Sequence, residues 1–268
     1  MSDLTFQRGI PEAYEKFLVP LIFEPFARDL ARRLGKPENA KVLELACGTG
    51  CLTRELRLCL PSSTALVATD PSEEMLAIAK KKVGPHARLS IQSAGAEHIP
   101  FPDGEFDAAV CQFGYMFFPD KVAGLKEIRR VLKPGGRVLF SVWDRLEKND
   151  ITRIINETLG AFFGKEAPEF FQVPFGSFDQ DQLQNEMQEA GYGEIQIQVV
   201  KIDGCSHLSP ESIAKGHLRG TPLANYLLQR HPEKMDELER VVARELGVLG
   251  DPIKHQMQAI VVTGLNPA

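Results

Sequence analysis

Apolar and polar residues follow two alternating patterns along residues 41–144. Short apolar runs, typical of strands buried on both faces, alternate with longer segments that carry apolar residues at helical spacing. The predicted strands are KVLELA (41–46), TALVATD (64–70), ARLSIQ (87–92), FDAAVCQFG (106–114) and RVLFSVWD (137–144), and the predicted helices are CLTRELRLCL (51–60), DPSEEMLAIAKKK (70–82) and DKVAGLKEIRRVL (120–132). Strands separated by such helices predict a parallel sheet with helices on both faces.

The flanking segments have a less regular pattern. Residues 11–35 carry apolar residues at helical spacing that Pro20 and Pro25 interrupt, which predicts two short helices ending near Gly35. Residues 145–178 are rich in phenylalanine and lack a clear period, so no element is assigned there. The rest predicts one helix, one strand, three helices and a last strand, at 179–190, 194–202, 209–218, 222–229, 232–246 and 255–264.

These patterns predict an α/β fold, with a Rossmann-like, doubly wound, seven-stranded sheet that is mostly parallel and has an antiparallel last strand. A chain of 268 residues is long enough for such a domain with additions. We expect an N-terminal helical lid (1–36), a core (37–203) with a substrate-side insertion (145–178), a helical cover (204–255), and a last strand with its tail (256–268).

Composition narrows the functional classes. Hydrophobic residues make up 43% and charged residues 25% of the chain, as in ordinary globular proteins. A net charge of −5 argues against nucleic-acid binding, which needs clustered basic residues. No apolar run approaches the roughly 20 residues of a membrane span, and the N-terminus lacks a signal-peptide pattern. Five cysteines, an odd number, do not suggest a disulfide framework, so we expect a cytoplasmic protein. We further expect a monomer or homodimer that binds a small molecule.

The end of the first predicted strand carries the clearest sign of a ligand site. Gly48 and Gly50 form a glycine turn, and Asp70 ends the second strand twenty residues later, a spacing suited to ribose hydroxyls. Taken alone, Asp70 is equally consistent with a helix cap. A dinucleotide site would have a third glycine where Thr53 stands, and Glu44 in the buried strand would repel a pyrophosphate. The pattern therefore favours a nucleoside-bearing ligand that is cationic near the turn.

S-adenosylmethionine combines an adenosine with an ammonium and a sulfonium group, and four motifs support this interpretation. VLELACGTG, ATDPSEEML, AEHIPFPDGEFDAAVCQFGYMFFPD and LKPGGRVLFSVW occur in this order. With them, the chain resembles the class I S-adenosylmethionine-dependent methyltransferases, close to the ubiquinone/menaquinone-biosynthesis-like group. The resemblance is strong over residues 40–143 and weaker in the flanks. It implies S-adenosylmethionine as the cofactor and S-adenosylhomocysteine as the product.

The resemblance also implies roles for individual residues. The methionine part of the cofactor would lie against Glu44 and the glycine turn, the ribose against Asp70, and the methyl group near Gln112 and Phe113. Tyr14 resembles a lid tyrosine that touches the cofactor, although a packing role is also open. The implied cofactor-binding residues are Tyr14, Glu44, Ala46, Cys47, Gly48, Gly50, Asp70, Pro71, Met75, Ala94, Gly95, Ala96, Glu97, Gln112 and Phe113.

One position departs from the family pattern. Relatives usually carry an acid where this chain has Gly95, and that acid accepts the adenine amino group. The contact is therefore missing here, or is supplied by another group such as Ser93 or a water molecule. A non-catalytic protein that binds S-adenosylmethionine stays open as an alternative for this reason.

Aromatic residues after the fourth and fifth strands predict an apolar or aromatic small-molecule substrate. The predicted substrate-binding residues are Phe113, Tyr115, Phe117, Trp143 and Phe171.

No catalytic residue is evident, because methyl transfer from a sulfonium needs a general base only when the acceptor must lose a proton. His207, His217 and Tyr14 are the candidates, although exposed helix positions account better for the two histidines. Cys47 and Cys51 have a zinc-compatible spacing, but no second ligand pair follows, so we predict no metal site. An NAD(P)-dependent oxidoreductase is a further alternative, although this chain lacks the third glycine of the dinucleotide-binding pattern.

Overall fold

The computed structural model describes residue 6 and residues 9–267, and it confirms the predicted fold class. Seven strands form one sheet in the order β3-β2-β1-β4-β5-β7-β6, in which β7 is antiparallel to both neighbours and the other pairs are parallel. The strands are β1 Lys41–Leu45, β2 Ala65–Asp70, β3 Leu89–Ser93, β4 Phe106–Gln112, β5 Leu132–Trp143, β6 Gly193–Ser206 and β7 Ile253–Leu265.

The described residues form ten α-helices, which pack on this sheet and on one another. They are α1 Ile10–Ala13, α2 Glu24–Leu34, α3 Cys51–Cys59, α4 Glu73–Val83, α5 Lys121–Val131, α6 Asp150–Phe163, α7 Gln180–Glu189, α8 Pro210–Arg219, α9 Leu223–Arg230 and α10 Met235–Leu246. None of the described helices has the length and apolar character needed to cross a bilayer.

The central strands are buried on both faces, as their apolar sequences predict. Val42 of β1 faces the layer of α2 and α3, where it clusters with Leu30 and Leu56. Leu43 and Leu45 face the opposite layer, where Leu125 of α5 and Leu159 of α6 belong to the same cluster. Because successive side chains of a strand point to opposite faces, three apolar residues of β1 contribute to two cores.

The N-terminal helices differ from the prediction. In place of two short helices broken at prolines, one continuous helical run extends from α1 through a π-helical segment, Tyr14–Phe23, into α2. Pro20 lies inside the π-helical segment, and Pro25 occupies the first turn of α2. Proline lacks a backbone N–H and crowds the carbonyl four residues earlier, so a wider turn accommodates Pro20 without ending the helix. The run ends before Gly35, as predicted.

Helix α6 lies inside the segment to which no element was assigned. Its buried residues follow the helical spacing i, i+3, i+4, i+7, i+8 at Ile151, Ile154, Ile155, Thr158 and Leu159. The phenylalanine-rich loop that follows obscured this period when the whole segment was considered together.

Two strand boundaries also differ from the prediction. Strand β5 begins at Leu132 and includes the KPGG sequence, which was predicted as a turn, and its register against β4 shifts beside Phe106. The last strand begins at Ile253, so it reaches into the predicted cover. The antiparallel pairing of β7 with β6 is confirmed.

Candidate ligand-binding and active site

A cavity of about 910 Å³ lies at the carboxyl ends of the parallel strands. The strand order reverses between β1 and β4, since β2 and β3 lie on one side of β1 while β4 and β5 lie on the other. Ligands of open α/β sheets bind at such a reversal, and the volume falls within the range of small-molecule sites. The topology therefore places this cavity where a ligand is expected.

Strained backbone marks the ends of both strands at the reversal. Ala46 after β1 and Phe113 after β4 each have a φ of +52°, a left-handed conformation that costs a non-glycine residue about 1–3 kcal/mol. Both residues line the cavity. A Cβ atom on Gly114 would collide with Ala46 Cβ and Cys111 Sγ, so the two strand ends are in direct contact. Such strain is maintained only where the surroundings impose it, as at functional sites.

Asp70 connects the glycine turn to the start of α4. Its Oδ2 accepts a hydrogen bond from Gly48 N at 2.8 Å, and its Oδ1 accepts one from Ser72 N at 2.8 Å. Burial raises the pKa of Asp70 although these two bonds oppose the shift. Ser72, whose Oγ accepts from Met75 N, is the cap of α4, so the helix-cap alternative for Asp70 is wrong. The carboxylate lies on the cavity wall with acceptor capacity left for a ligand.

Glu44 lies behind the turn and outside the cavity wall. Its side chain is fully buried, and neither carboxylate oxygen has a hydrogen-bond partner among the described residues. Burial raises the pKa of Glu44 to about 8, and the nearby Thr53 opposes that shift only in part. An unpaired carboxylate in such surroundings is costly in its ionised form, so the group is mainly protonated at neutral pH until a positive charge comes near.

The remaining turn residues have different positions. Gly50 has a φ of +80°, and a Cβ atom there would lie 3.1–3.3 Å from Val83 and Ala79 of α4. This glycine therefore permits the close packing of α3 against α4, and it does not line the cavity. Cys47 is buried in a small cluster with Ala68 and is also absent from the wall.

The loop after β3 forms the far side of this end of the cavity. Pro71, Met75 and residues 94–97 all line the wall, together with Glu73 and Glu74, which the sequence reasoning did not single out. A Cβ atom on Gly95 would meet no atom within 4 Å, so there is open space beside the position where the family resemblance implies an acid. Ser93, suggested as a substitute, does not line the cavity.

The opposite end of the cavity is aromatic. Phe113 stacks on Trp143 with ring centroids 3.9 Å apart and planes 11° apart, and Phe175 stacks at 5.8 Å from the same indole. Phe117 and Phe171 also line the wall. Tyr115 does not line it, because its ring stacks on Phe140 in the core and its hydroxyl donates to Glu186. Sequence reasoning found no sign of four apolar wall residues, Leu18, Ile22, Phe23 and Met116. Phe118, Phe170 and Phe175, from the phenylalanine-rich part of the chain, also line the wall, although they were not among the predicted substrate-binding residues.

Helical segments far apart in sequence supply the remaining wall residues. Tyr14 packs on Phe23 with centroids 4.8 Å apart, and burial raises its pKa well above the ordinary value. Gln112 lines the cavity, and its Nε2 donates to Phe23 O at 2.8 Å, which fastens the end of β4 to the N-terminal helix. His217 of α8 is buried on the wall, whereas His207 is exposed and lies outside it.

Comparison with known proteins agrees with this geometry. Residues 43–140 match the family model described as a methyltransferase domain. The ubiquinone/menaquinone biosynthesis C-methyltransferase UbiE of Geotalea daltonii is 38% identical over 135 residues, which are 49% of this chain and 52% of that protein. The protein of the same name from Proteus mirabilis is 30% identical over 174 residues, which are 60% of this chain and 69% of that protein.

Among solved structures, the fold of this chain is similar to that of phosphoethanolamine N-methyltransferase 2 of Haemonchus contortus, solved in complex with S-adenosyl-L-methionine. The TM-score is 0.61 at 18% identity, over 96% of this chain and 57% of that chain. Fold and site together define a protein with the class I methyltransferase architecture. The chain belongs to the class I S-adenosylmethionine-dependent methyltransferases, in the UbiE-like group. It spans about half the length of the first curated relatives that it matches.

Proposed function

We propose that this chain binds S-adenosylmethionine in the cavity and transfers the methyl group to a small apolar or aromatic molecule. The observation that carries the proposal is the Asp70 carboxylate on the cavity wall, held against the backbone of the glycine turn. Family membership favours methyl transfer over the hydride transfer of an oxidoreductase.

The residues at the β1 and β2 ends of the cavity fit the cofactor chemically. The free acceptor sites of Asp70 suit the two ribose hydroxyls, and Pro71 with the buried Met75 offers an apolar surface for the adenine. Open space beside Gly48, where a Cβ atom would meet nothing within 4 Å, suits the methionine part. Residues 94–97 would close over the adenine edge.

Glu44 would act on the cofactor through its charge. A ligand ammonium or sulfonium near the turn would favour the ionised form of this buried carboxyl and lower its pKa from about 8. In its ionised form, the same group would disfavour a pyrophosphate at this turn. We propose that Glu44 thereby contributes to selection of a cation, even though it does not line the cavity.

The reaction requires little of the protein beyond alignment. Bound S-adenosylmethionine supplies an electrophilic methyl carbon on a positively charged sulfur. The aromatic wall excludes water and positions the acceptor in line with that carbon, an effect that contributes about 7–11 kcal/mol at best. The stacked pair Phe113 and Trp143 would stabilise the cationic sulfur by cation–π contact.

Two observations support a substrate class: the aromatic side chains at one end of the cavity and the names of the matched proteins. Matched proteins are named for ubiquinone/menaquinone biosynthesis and for demethylmenaquinone. We propose a quinol, a phenol or a similar flat, apolar acceptor, because aromatic rings form most of that wall. The negative net charge supports a role without nucleic acid. The five free cysteines support a reducing, cytoplasmic location. We propose that the chain acts as a monomer or homodimer.

Calorimetry and methyl transfer together test the proposal. The purified chain should bind S-adenosylmethionine and S-adenosylhomocysteine, and should transfer labelled methyl to some member of a panel of quinols, phenols and indoles. Binding without transfer to any acceptor would support the non-catalytic alternative. Binding of a nicotinamide dinucleotide in place of S-adenosylmethionine, detected by native mass spectrometry, would overturn the proposal.

A further inference from the structure

Two charged side chains of α5 hold the loop at residues 94–98 from behind the cavity wall that this loop forms. Ile99 follows the loop directly, and its N–H donates to Glu127 Oε1 at 2.9 Å. Its carbonyl oxygen accepts from Arg130 Nη2 at 2.9 Å, and Arg130 Nη1 donates to the Phe101 carbonyl oxygen at 2.9 Å. Neither Glu127 nor Arg130 lines the cavity, so the two residues act on it only through the loop.

Glu127 and Arg130 also hold each other in position, and together they are called the α5 clamp below. Arg130 Nε donates to Glu127 Oε2 at 2.8 Å, and Arg130 Nη2 donates to Glu127 Oε1 at 2.7 Å. These bonds to Arg130 keep the pKa of Glu127 below its ordinary value, so the pair is ionised at neutral pH. Two parallel charge-assisted bonds fix the plane of the guanidinium, which directs its remaining N–H groups at the backbone carbonyls.

The loop is fixed at its other end by the strand that carries Asp70. Ala94 N donates to the Asp70 carbonyl oxygen at 3.3 Å, and the Asp70 side chain lies on the same cavity wall. Between these two fixed points the chain makes a short turn, with an isolated bridge between Gly95 and His98. Because a Cβ atom on Gly95 would meet no atom within 4 Å, the turn has little packing on that side and depends on its two ends for its position.

We propose that Glu127 and Arg130 are positioning residues for the cofactor, which hold the loop in place over the adenine before S-adenosylmethionine binds. This inference rests on the proposed function and deepens it, because it assigns part of the cofactor affinity to residues outside the cavity. Without the α5 clamp, the loop would become ordered only on binding, and the conformational entropy lost at that step would reduce affinity.

Calorimetry with two ligands tests at which part of the cofactor the clamp acts. 5′-Methylthioadenosine contains the adenosine of S-adenosylmethionine but lacks its amino-acid part. Arg130→Leu removes the bonds to both backbone carbonyls, so it should weaken both ligands by the same factor, about tenfold. Arg130→Lys keeps a charged donor and should recover part of this loss. The binding stoichiometry should stay unchanged, since a folding defect lowers the active fraction and not the affinity.

Arg129→Leu is the matched control. Arg129 is the preceding residue of α5 and is also partly buried, but its Nε donates to Asn266 Oδ1 at 3.0 Å, away from the loop. This variant should leave both affinities unchanged. If Arg130→Leu does not fold, Arg130→Lys against Arg129→Lys makes the same comparison.

Hydrogen exchange of the ligand-free chain gives a second readout. The amides of residues 95–99 should exchange faster in Arg130→Leu than in the wild type or in Arg129→Leu. Unchanged exchange there, equal losses of affinity in the two leucine variants, or a loss confined to S-adenosylmethionine would overturn the positioning role. Absence of binding by the wild-type chain would remove the proposed function, whereas wild-type binding with unchanged affinities in Arg130→Leu would overturn the positioning role alone.

Discussion

The two ends of the cavity are built in different ways. At the β1 and β2 ends, the wall consists of backbone turns and carboxylates from three short segments of the core, at residues 46–48, 70–75 and 94–98. At the β4 and β5 ends, aromatic side chains converge from the N-terminal helices, the β4 turn and the segment after α6, and α8 adds His217. One end is local in sequence, and the other is assembled by packing.

This difference indicates that cofactor affinity and acceptor affinity can be changed separately. Contacts at the β1 and β2 ends depend on strand ends whose positions the sheet hydrogen bonds determine. Contacts at the aromatic end depend on how distant helices pack. Substitutions at the first end should change affinity for the cofactor, and substitutions at the second should change affinity for the acceptor. Asp70→Ala, Phe117→Ala and Gly95→Asp test that separation, and Glu44→Gln tests the buried carboxyl behind the first end.

Asp70→Ala should have the largest effect. It removes charge-assisted bonds to the ribose hydroxyls, each contributing about 1.5–3 kcal/mol, so affinity for S-adenosylmethionine should fall about 100-fold or more by calorimetry. Asp120→Ala is the matched control, because Asp120 caps α5 and lies outside the cavity wall. Equal losses of cofactor affinity in both variants would refute a ligand role for Asp70.

Glu44→Gln should change the pH dependence of stability. The folded chain holds this proton more tightly than the unfolded chain, since the pKa rises from 4.5 to about 8. The free energy of unfolding should therefore fall as pH rises from about 5 to 8, by about 3–4 kcal/mol from this group alone. Urea unfolding across this pH range should show a flatter profile for Glu44→Gln than for the wild type. Glu189→Gln, at an exposed site, should leave the wild-type slope unchanged.

Phe117→Ala should act at the aromatic end only. The substitution removes apolar contacts that contribute about 1–2 kcal/mol to the binding free energy of an aromatic acceptor. KM for that acceptor should therefore rise about tenfold, with cofactor affinity unchanged. Phe162→Ala is the control, because Phe162 is a partly buried phenylalanine outside the cavity wall. If Phe117→Ala weakened cofactor binding as strongly as acceptor binding, the separation of the two ends would fail.

Gly95→Asp should have the smallest effect, in the opposite direction. The backbone there is not left-handed and the space beside it is open, so an aspartate fits and can accept the adenine amino group. We expect cofactor affinity to rise up to about tenfold. Gly193→Asp, also beside open space but on β6, should leave affinity unchanged. Weaker binding by Gly95→Asp would mean that the adenine does not reach this loop.

The fold was largely predictable because its signals are local. Apolar runs, amphipathic spacing and the Gly35 helix end each depend on neighbouring residues, and the structure agrees with them. The π-helical segment was not predictable from Pro20, since a proline normally ends a helix, whereas here the segment continues and packs on α8. Helix α6 was detectable from its own spacing once separated from the loop after it.

The sequence by itself determined the order of strands and helices, the glycine turn after β1, and the position of Asp70 at the end of β2. These features follow from backbone preferences and from burial of alternate residues, which act over a few positions. Tertiary structure alone decided that Trp143 faces the cavity while Tyr115 points into the core, and that Glu44 lies behind the wall. It also decided that His217 reaches the cavity, because such placements depend on contacts between segments about 70–200 residues apart in the chain.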